Sequence, residues 1–414
     1  MFSILFQRPK VITRHRAGPL ADERERFLRQ CEARGYARSM LKKIAWILLA
    51  VADCIRIDRG KVTGGDIEQA VNSRRRFKRR PDVAQDSESS RRLFIHIATE
   101  WVRSLGCLEP PAEVERPFAM QTAAFVQYLQ NERGLSPVTI STRLERLVWF
   151  FESLHPSRDA LRTISIADVD AFIKAKSNQG WKRSSLHSLA SSLRSFFRFA
   201  EGQGWCSPGT AAVIESPRLY AREGLPEGPS WELVQRLLAS TQGDDPASIR
   251  AHAILTLLAV YGFRRSEVAG LALDDLDWVG EQIVVSRPKQ RRSQCYPLLP
   301  AVGEPILRYL HEVRPRCAHR ALFLTLNAPV RPLSAPSVTA LVHARLGDLG
   351  ITLSPRGAHC LRHACASHLL ASGFSLKEIG DHLGHRAANS TLSYTKVDLA
   401  RLRQVAELDL GGLV

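Results

Sequence analysis

Residues 359–394 read HCLRHACASHLLASGFSLKEIGDHLGHRAANSTLSY, and their order decides how the rest of the chain is understood. Leu361, Ala364, Cys365, His368 and Leu369 recur at helical spacing, and Ser372-Gly373 ends that helix. Ser375 stands three residues before Glu378, the pattern of a capping box, with Phe374 and Ile379 placed for a hydrophobic staple. The helix opened there has Leu376, Ile379 and Leu383 as its apolar side and stops at Gly384, which leaves His385 just past a helix C-terminus. His359 and Arg362, three apart, project to the same side. Five histidines, two arginines and Tyr394 therefore gather around two short helices. They read as metal ligands, as a solvated basic face, or as parts of one active site.

A zinc site would use His359 and His363, at i and i+4, with Cys360 and Cys365 close by. There is no HExxH and no CxxC, so no metal is expected. His368 and His382 read as capped or surface residues.

The totals narrow the choice. A chain of 414 residues has room for two or three cores. Its formal charge of +17 points to a polyanionic partner, nucleic acid before an anionic membrane surface. The best apolar run, Ile44–Ile55, is too short to span a bilayer and contains Asp53. The first residues, MFSILFQRPK, lack the apolar length and cleavage site of a signal peptide. Eight cysteines are scattered without CxxC pairs, which suits reduced thiols in a cytoplasm.

Punctuation divides the chain into three blocks. Residues 1–110 hold 23 Lys and Arg against 13 Asp and Glu, a net +10. Their most basic point is RRRFKRR, in which Arg74, Arg75, Arg76, Lys78, Arg79 and Arg80 flank one aromatic. Helical periodicity appears in ERERFLRQCEARG and SRRLFIHIATEWVRSLG. The proline-containing LEPPAEVERP then closes the block. Residues 118–213 read as a small helical bundle; Ser136 before Pro137 is an N-cap followed by an N1 proline. Residues 214–230 have linker chemistry. Residues 231–414 are mixed. A helix in SIRAHAILTLLAVYG leads to RRSEVAGLALDDL, and β-branched IVVSRP and CYPLLP surround a basic turn, as in a small hairpin. The expected fold is mainly α with a small β-sheet.

H-C-L-R-H (His359–His363), L-G-H (Leu383–His385) and Tyr394 nine residues on resemble the C-terminal motif set of the tyrosine recombinases, the integrase family of DNA strand-exchange enzymes. YGFRRSEVAGLALDDLDW (Tyr261–Trp278) resembles the family's G-L-R-x-S-E-L box, and SRPKQRRSQCYPLLP (Ser286–Pro300) its lysine-bearing β-turn segment. YLQNERGLSPVTIST and LRSFFRFAEGQG resemble its core-binding domain. The likeness covers about 118–410. Departures are mild: Phe263 for the usual leucine, Ala364 where Thr or Ser is common, and SPGTA for the NPA that often closes the core-binding domain.

The resemblance implies a SAM-like core-binding domain at 118–213, a linker at 214–230 and a catalytic domain at 231–414. It implies breaking and rejoining of DNA through a 3′-phosphotyrosine, with neither metal nor ATP. Tyr394 would be the nucleophile, and Arg264 and Arg362 would hold the scissile phosphate. Lys289 would be the general acid, His359 a general base or phosphate donor, and His385 a further phosphate donor. Glu267 would support this group of residues, and His363 would be structural. The chemistry agrees. Arginine forks grip phosphate oxygens in a bidentate way that a lysine cannot. A lysine can protonate the leaving oxygen, and histidines move protons near neutral pH. Singly, each residue has an ordinary reading: Arg264 as a capping or surface arginine, Lys289 as one solvated charge among Arg287, Arg291 and Arg292, Tyr394 as a half-buried helix tyrosine. Their joint order carries the assignment.

A site-specific recombinase of this kind would clamp duplex DNA and act as a tetramer on two synapsed duplexes, with partner recombinases or accessory proteins, associated with DNA in the cytoplasm. A type IB topoisomerase and a regulator without catalysis are the competing readings. The 1–110 block lies outside the two-domain pattern. It reads as a DNA-contacting module or as a helical extension for protomer contacts. Arg291, Arg292 and the cations of RRRFKRR are the candidate DNA contacts beyond the catalytic set. An added module of this kind favours a mobile-element integrase or transposase.

Overall fold

The structure, a computed structural model, describes residues 1–55, 60–73, 88–110, 117–154, 160–218, 228–287, 292–351 and 357–384. The chain forms two compact units, one from Met1–Pro111 with Gly224–Val414 and the other from Ala112–Glu223. The first unit contains two large apolar cores.

In the N-terminal part, helices Ala21–Ala33, Arg38–Cys54 and Glu88–Ser104 bury Phe27, Leu28, Ile44, Leu48, Phe94 and Trp101 in one core. The most apolar run of the sequence supplies the central helix of this bundle. Among the described residues no helix is long and apolar enough to cross a membrane.

The second unit is built on helices Ala119–Asn131, Pro137–Glu152, Ile166–Asn178 and Arg183–Gly202. Their starts follow the caps in the sequence. Ser136 Oγ accepts from the Thr139 N–H, with Pro137 at N1, and Ser165 forms a capping box with Asp168. The core is aromatic: Phe196 meets Phe125 and Phe151 edge-on, both with centroids 5.3 Å apart.

In the 228–384 part, helix Pro246–Val260 is apolar on all sides and is the buried axis of its core, as that pattern requires. Strands β1 (Leu276–Asp277), β2 (Gln282–Arg287) and β3 (Arg292–Pro297) form an antiparallel sheet in that order. Along β2, Ile283, Val285 and Arg287 turn inward and Gln282, Val284 and Ser286 outward. The period of two thus carries an arginine into a position that its two predecessors fill with apolar side chains. Arg287 is 2% exposed, not one of several solvated charges.

Helices Ala358–Ala371 and Leu376–Leu383 carry the histidine-rich stretch. The Ser375–Glu378 capping box forms, and Gly384 ends the second helix in the left-handed conformation, φ 60°. The staple does not form. Ile379 is buried, but Phe374 is 47% exposed. Its N–H closes the preceding helix on the Leu369 carbonyl (3.1 Å) after the left-handed Gly373, and this turn leaves the ring outside.

Candidate active site

The site begins where helix Pro246–Val260 stops. Gly262 has φ +59°, and a Cβ there would stand 2.5 Å from Leu383 Cδ2, so both the turn and the contact require glycine. This tight turn delivers Arg264 to the N-cap position of the short helix Arg265–Gly270. Arg264 is held by Glu267 twice: its backbone N–H donates to Oε2 (2.8 Å) and its Nη1 to Oε1 (2.6 Å). The Glu267 side chain is 4% exposed and that of Arg264 32%, so the carboxylate is the buried anchor and the arginine stays partly exposed.

Two more arginines converge on the same place. Arg287, at the end of β2, brings Nε to 3.8 Å from Glu267 Oε1. Its Nη1 donates to the Leu383 carbonyl (2.6 Å) and its Nη2 to the Tyr296 hydroxyl. Arg362 donates through Nη1 to the Gly262 carbonyl (2.6 Å) and through Nη2 to the Leu383 carbonyl (2.8 Å), and is 1% exposed. The common target is the C-terminus of helix Leu376–Leu383. There the Tyr296 hydroxyl donates to the His382 carbonyl, Arg287 and Arg362 to Leu383, and Arg264 Nη2 to Gly384 at 3.4 Å. The last carbonyls of a helix have no intrahelical partner and carry the negative end of its dipole, so cations belong there. The outcome is a fixed position for the residue that precedes His385.

The electrostatics follow from this packing. Burial pushes Tyr296 up to about 12 despite the Arg287 charge beside it, so its hydroxyl stays a donor. His359 and His363 meet edge to face, ring centroids 4.4 Å apart. Burial lowers the pKa of His359, and the charges of Arg362 and Arg264 lower it further. His363 is brought down to about 4 by burial, then by His359 and Arg362. Both rings are therefore neutral near pH 7, and His359 is able to accept a proton. His382 is half-buried, not a surface residue; its Nε2 lies 3.3 Å from the Val260 carbonyl. His368 stacks on Trp231 at 3.9 Å. Among the described residues no group of three or more His, Cys, Asp or Glu is placed to hold a metal ion.

Of the residues chosen from sequence, the structure brings together Arg264, Glu267, His359, Arg362 and His363. Lys289, His385, Tyr394, Arg291 and the run from Arg74 to Arg80 lie outside the described residues. Arg292 opens β3, paired in register with Arg287. Sequence reasoning missed Arg287 and Tyr296.

It also missed a basic cleft in the second unit. Arg133, Arg143, Arg194 and Arg198 line an open cleft together with Tyr128 and Ser195. Arg143 donates to Ser195 Oγ (2.7 Å), and Arg146 to Ser188 Oγ (2.6 Å) and Ser192 Oγ (3.1 Å). Small serines on helix Arg183–Gly202 thus seat arginines from helix Pro137–Glu152. Burial and the like charge of Arg133 lower the Arg143 pKa, a sign of crowded cations.

Comparison with known proteins gives matches over both parts. The family described as Phage integrase family matches residues 232–401, and Phage integrase, N-terminal SAM-like domain, matches residues 123–204. A chain of Sinorhizobium fredii (strain NBRC 101917 / NGR234), provisionally named integrase/recombinase y4rA, is 36% identical over 313 residues. That alignment covers 74% of this chain and 75% of the relative. Tyrosine recombinase XerD of Shewanella oneidensis is 31% identical over 286 residues, 68% of this chain and 93% of XerD. Among solved structures, the XerH site-specific recombinase bound to palindromic difH substrate shares the fold with TM-score 0.56 at 17% identity, over 87% of this chain and 95% of that one. The Tn1549 transposon integrase in complex with a circular intermediate DNA matches with TM-score 0.54 at 17% identity, over 68% of this chain and 99% of that one.

Proposed function

Because this chain belongs to the phage integrase family of tyrosine recombinases, we propose that its converging arginines hold a scissile DNA phosphate for attack by Tyr394. Members of the family cleave and rejoin DNA through a tyrosine intermediate, and this chain is an enzyme of that kind, a site-specific DNA recombinase. The observation that carries the proposal is the arginine convergence. Among the described residues, Glu267 is the one carboxylate paired with Arg264 and Arg287, so positive charge is left over beside a partly exposed arginine. Excess fixed charge of that sort stabilises an anion that gains charge in its transition state.

The Tyr394 hydroxyl attacks phosphorus and gives up its proton to His359, whose neutral ring can take it. Arg264 grips a non-bridging oxygen, Arg362 adds its charge from behind, and His385 donates a further hydrogen bond. Lys289 protonates the departing 5′ oxygen. The 3′-phosphotyrosine keeps the bond's energy, and a 5′ hydroxyl reverses the step. The chemistry draws on neither metal nor ATP.

The domain roles are part of the same reading. Residues 118–213 bind duplex DNA, supported by the arginine-lined cleft; residues 214–230 link them to the catalytic 231–414. Residues 1–110 form an added basic module that contacts DNA through the cations from Arg74 to Arg80, in a mobile-element integrase or transposase. The enzyme works in the cytoplasm as a tetramer on two synapsed duplexes, with partner or accessory proteins where the element supplies them.

Covalent trapping tests the reading. Purified protein is mixed, in EDTA, with nicked suicide duplexes taken from the DNA flanking its gene, beside a Tyr394→Phe variant. A protein–DNA band that forms with the natural chain and vanishes with the variant supports it; tight binding without a band on any such duplex contradicts it.

A further inference from the structure

The family motifs account for Arg264, Arg362 and the L-G-H glycine, but not for the buried Arg287. We propose that Arg287 is a positioning residue, which holds Glu267 and the Leu383 carbonyl in one register so that Arg264 and the end of helix Leu376–Leu383 face the same phosphate. The inference rests on the phosphate-holding role proposed above.

Three observations carry it. First, Arg287 occupies the space beside Gly384. A Cβ on that glycine would fall 1.2 Å from Arg287 Nη1 and 2.2 Å from its Cζ. The glycine of L-G-H is thus required twice, for its φ of +60° and for the room that the guanidinium fills. Second, two of the three partners of Arg287 belong to the group proposed to hold the phosphate: Glu267, which anchors Arg264, and Leu383, whose carbonyl Arg362 shares. Third, each of these partners keeps another without it. Glu267 retains Arg264, the Leu383 carbonyl retains Arg362, and the Tyr296 hydroxyl retains the His382 carbonyl.

That redundancy separates positioning from mere support. A buried polar group left alone destabilises by about 1–3 kcal/mol. Here removal of Arg287 orphans none of its three partners, and the Nε of Arg287 itself, buried without a hydrogen-bond acceptor, is no longer there to be desolvated. Exchange of Arg287 for an apolar side chain of similar volume therefore leaves every polar partner with another hydrogen-bond or ion-pair partner, Glu267 with Arg264 among them. What is lost is the constraint on the angle between Glu267 and the helix end.

The test measures single-turnover cleavage of the suicide duplexes by the natural chain, Arg287→Met, Arg287→Lys and Lys289→Ala. Each acts on the ordinary phosphodiester and on a duplex with sulfur in place of the 5′ bridging oxygen. Sulfur leaves without a proton, so it restores a variant that lacks only its general acid. Arg287→Met is expected to cleave about 10–100-fold more slowly, the range for loss of an orienting partner, with unchanged melting temperature and DNA affinity. Sulfur is expected to rescue Lys289→Ala and not Arg287→Met. Arg287→Lys is expected to stay slow, since an ammonium cannot bridge as a guanidinium fork does. Wild-type cleavage by Arg287→Met, or its rescue by sulfur, overturns the inference. If Arg287→Met does not fold, Tyr296→Phe decides: it removes the hydroxyl between Arg287 and His382, and a several-fold loss at unchanged melting temperature supports the proposal, whereas an undiminished rate overturns it. Absence of Tyr394-dependent cleavage in the natural chain sinks the reading and the inference together; cleavage to which Arg287 is indifferent sinks the inference alone.

Discussion

Two regions of this protein bury arginines, and they do so in opposite ways. In the N-terminal bundle Arg24 is fully buried, and its donors go to the carbonyls of His15 (2.7 Å), Pro19 (2.8 Å) and Gly18 (3.0 Å). All three lie within nine residues of it in sequence. The arginine closes its own turn. In the 228–384 part, Arg264, Arg287 and Arg362 reach carbonyls 21 to 120 residues away, and all three end on the same helix terminus. One arrangement staples a local loop. The other draws four distant segments to one point and leaves Arg264 partly exposed. The same side chain closes a local turn in the first and ties distant segments together in the second.

Substitutions break or sharpen that contrast. The largest effect belongs to Arg264→Ala, expected to lower cleavage by on the order of 10²–10³, as loss of one donor at a developing charge does, with little change in melting temperature. Arg24→Met is the mirror image. It leaves the buried His15 carbonyl without its donor, at about 1–3 kcal/mol, and is expected to lower the midpoint of urea unfolding while cleavage per folded molecule is unchanged. If both variants lost activity and stability in parallel, the contrast would fail.

Gly384→Ala comes next. The added methyl meets Arg287 and the backbone loses a left-handed residue, φ +60°. The strain is about 1–3 kcal/mol, with a drop in cleavage larger than the stability loss explains, read from rates on protein shown folded by circular dichroism.

The last effect is a pH dependence of stability. Burial, helped by Arg24 and Arg14, holds His15 at about 4, and its ring is stacked with Phe2 and Phe6 at 5.1 and 4.7 Å. A histidine whose folded pKa is depressed supports the native state above its unfolded value of about 6.5 and loses that support as pH falls toward 4, because only the unfolded chain takes up the proton. His363 behaves alike. Stability is therefore expected to be flat above the ordinary histidine value and to decline below it. His15→Phe is expected to reduce the slope without touching cleavage, since neither ring nitrogen has a hydrogen-bond partner to lose. Melting curves between pH 7 and 4 measure both.

Much of this was legible in the residues. The Ser375–Glu378 capping box, the helix stop at Gly384, the hairpin around IVVSRP and CYPLLP, and the Ser136-Pro137 helix start all depend on neighbours a few residues apart, and local physics decides them. Arg264, Glu267, His359 and Arg362 were legible as an ordered set, not singly. Arg287 was misread because a basic turn hides it; the signal that finds it is the period of two through Ile283 and Val285, which points it inward. Tyr296 and His382 owe their places to contacts 86 and 122 residues away, beyond any local pattern. Arg143 of the cleft and its neighbour Arg146 look like an ordinary solvated helix face until serines 188, 192 and 195 come opposite them. Phe374 shows the reverse error: a local pattern was present, and a glycine turn overrode it.

The central claim is that Arg264 answers the charge of a scissile phosphate. The most direct measurement replaces that one phosphate by a charge-neutral methylphosphonate and compares cleavage by the natural chain with cleavage by Arg264→Ala. The account predicts that the loss on the ordinary phosphate, on the order of 10²–10³, shrinks to a small factor on the neutral linkage. An equal loss on both linkages would contradict it and leave Arg264 as a structural arginine, a counterpart of Arg24.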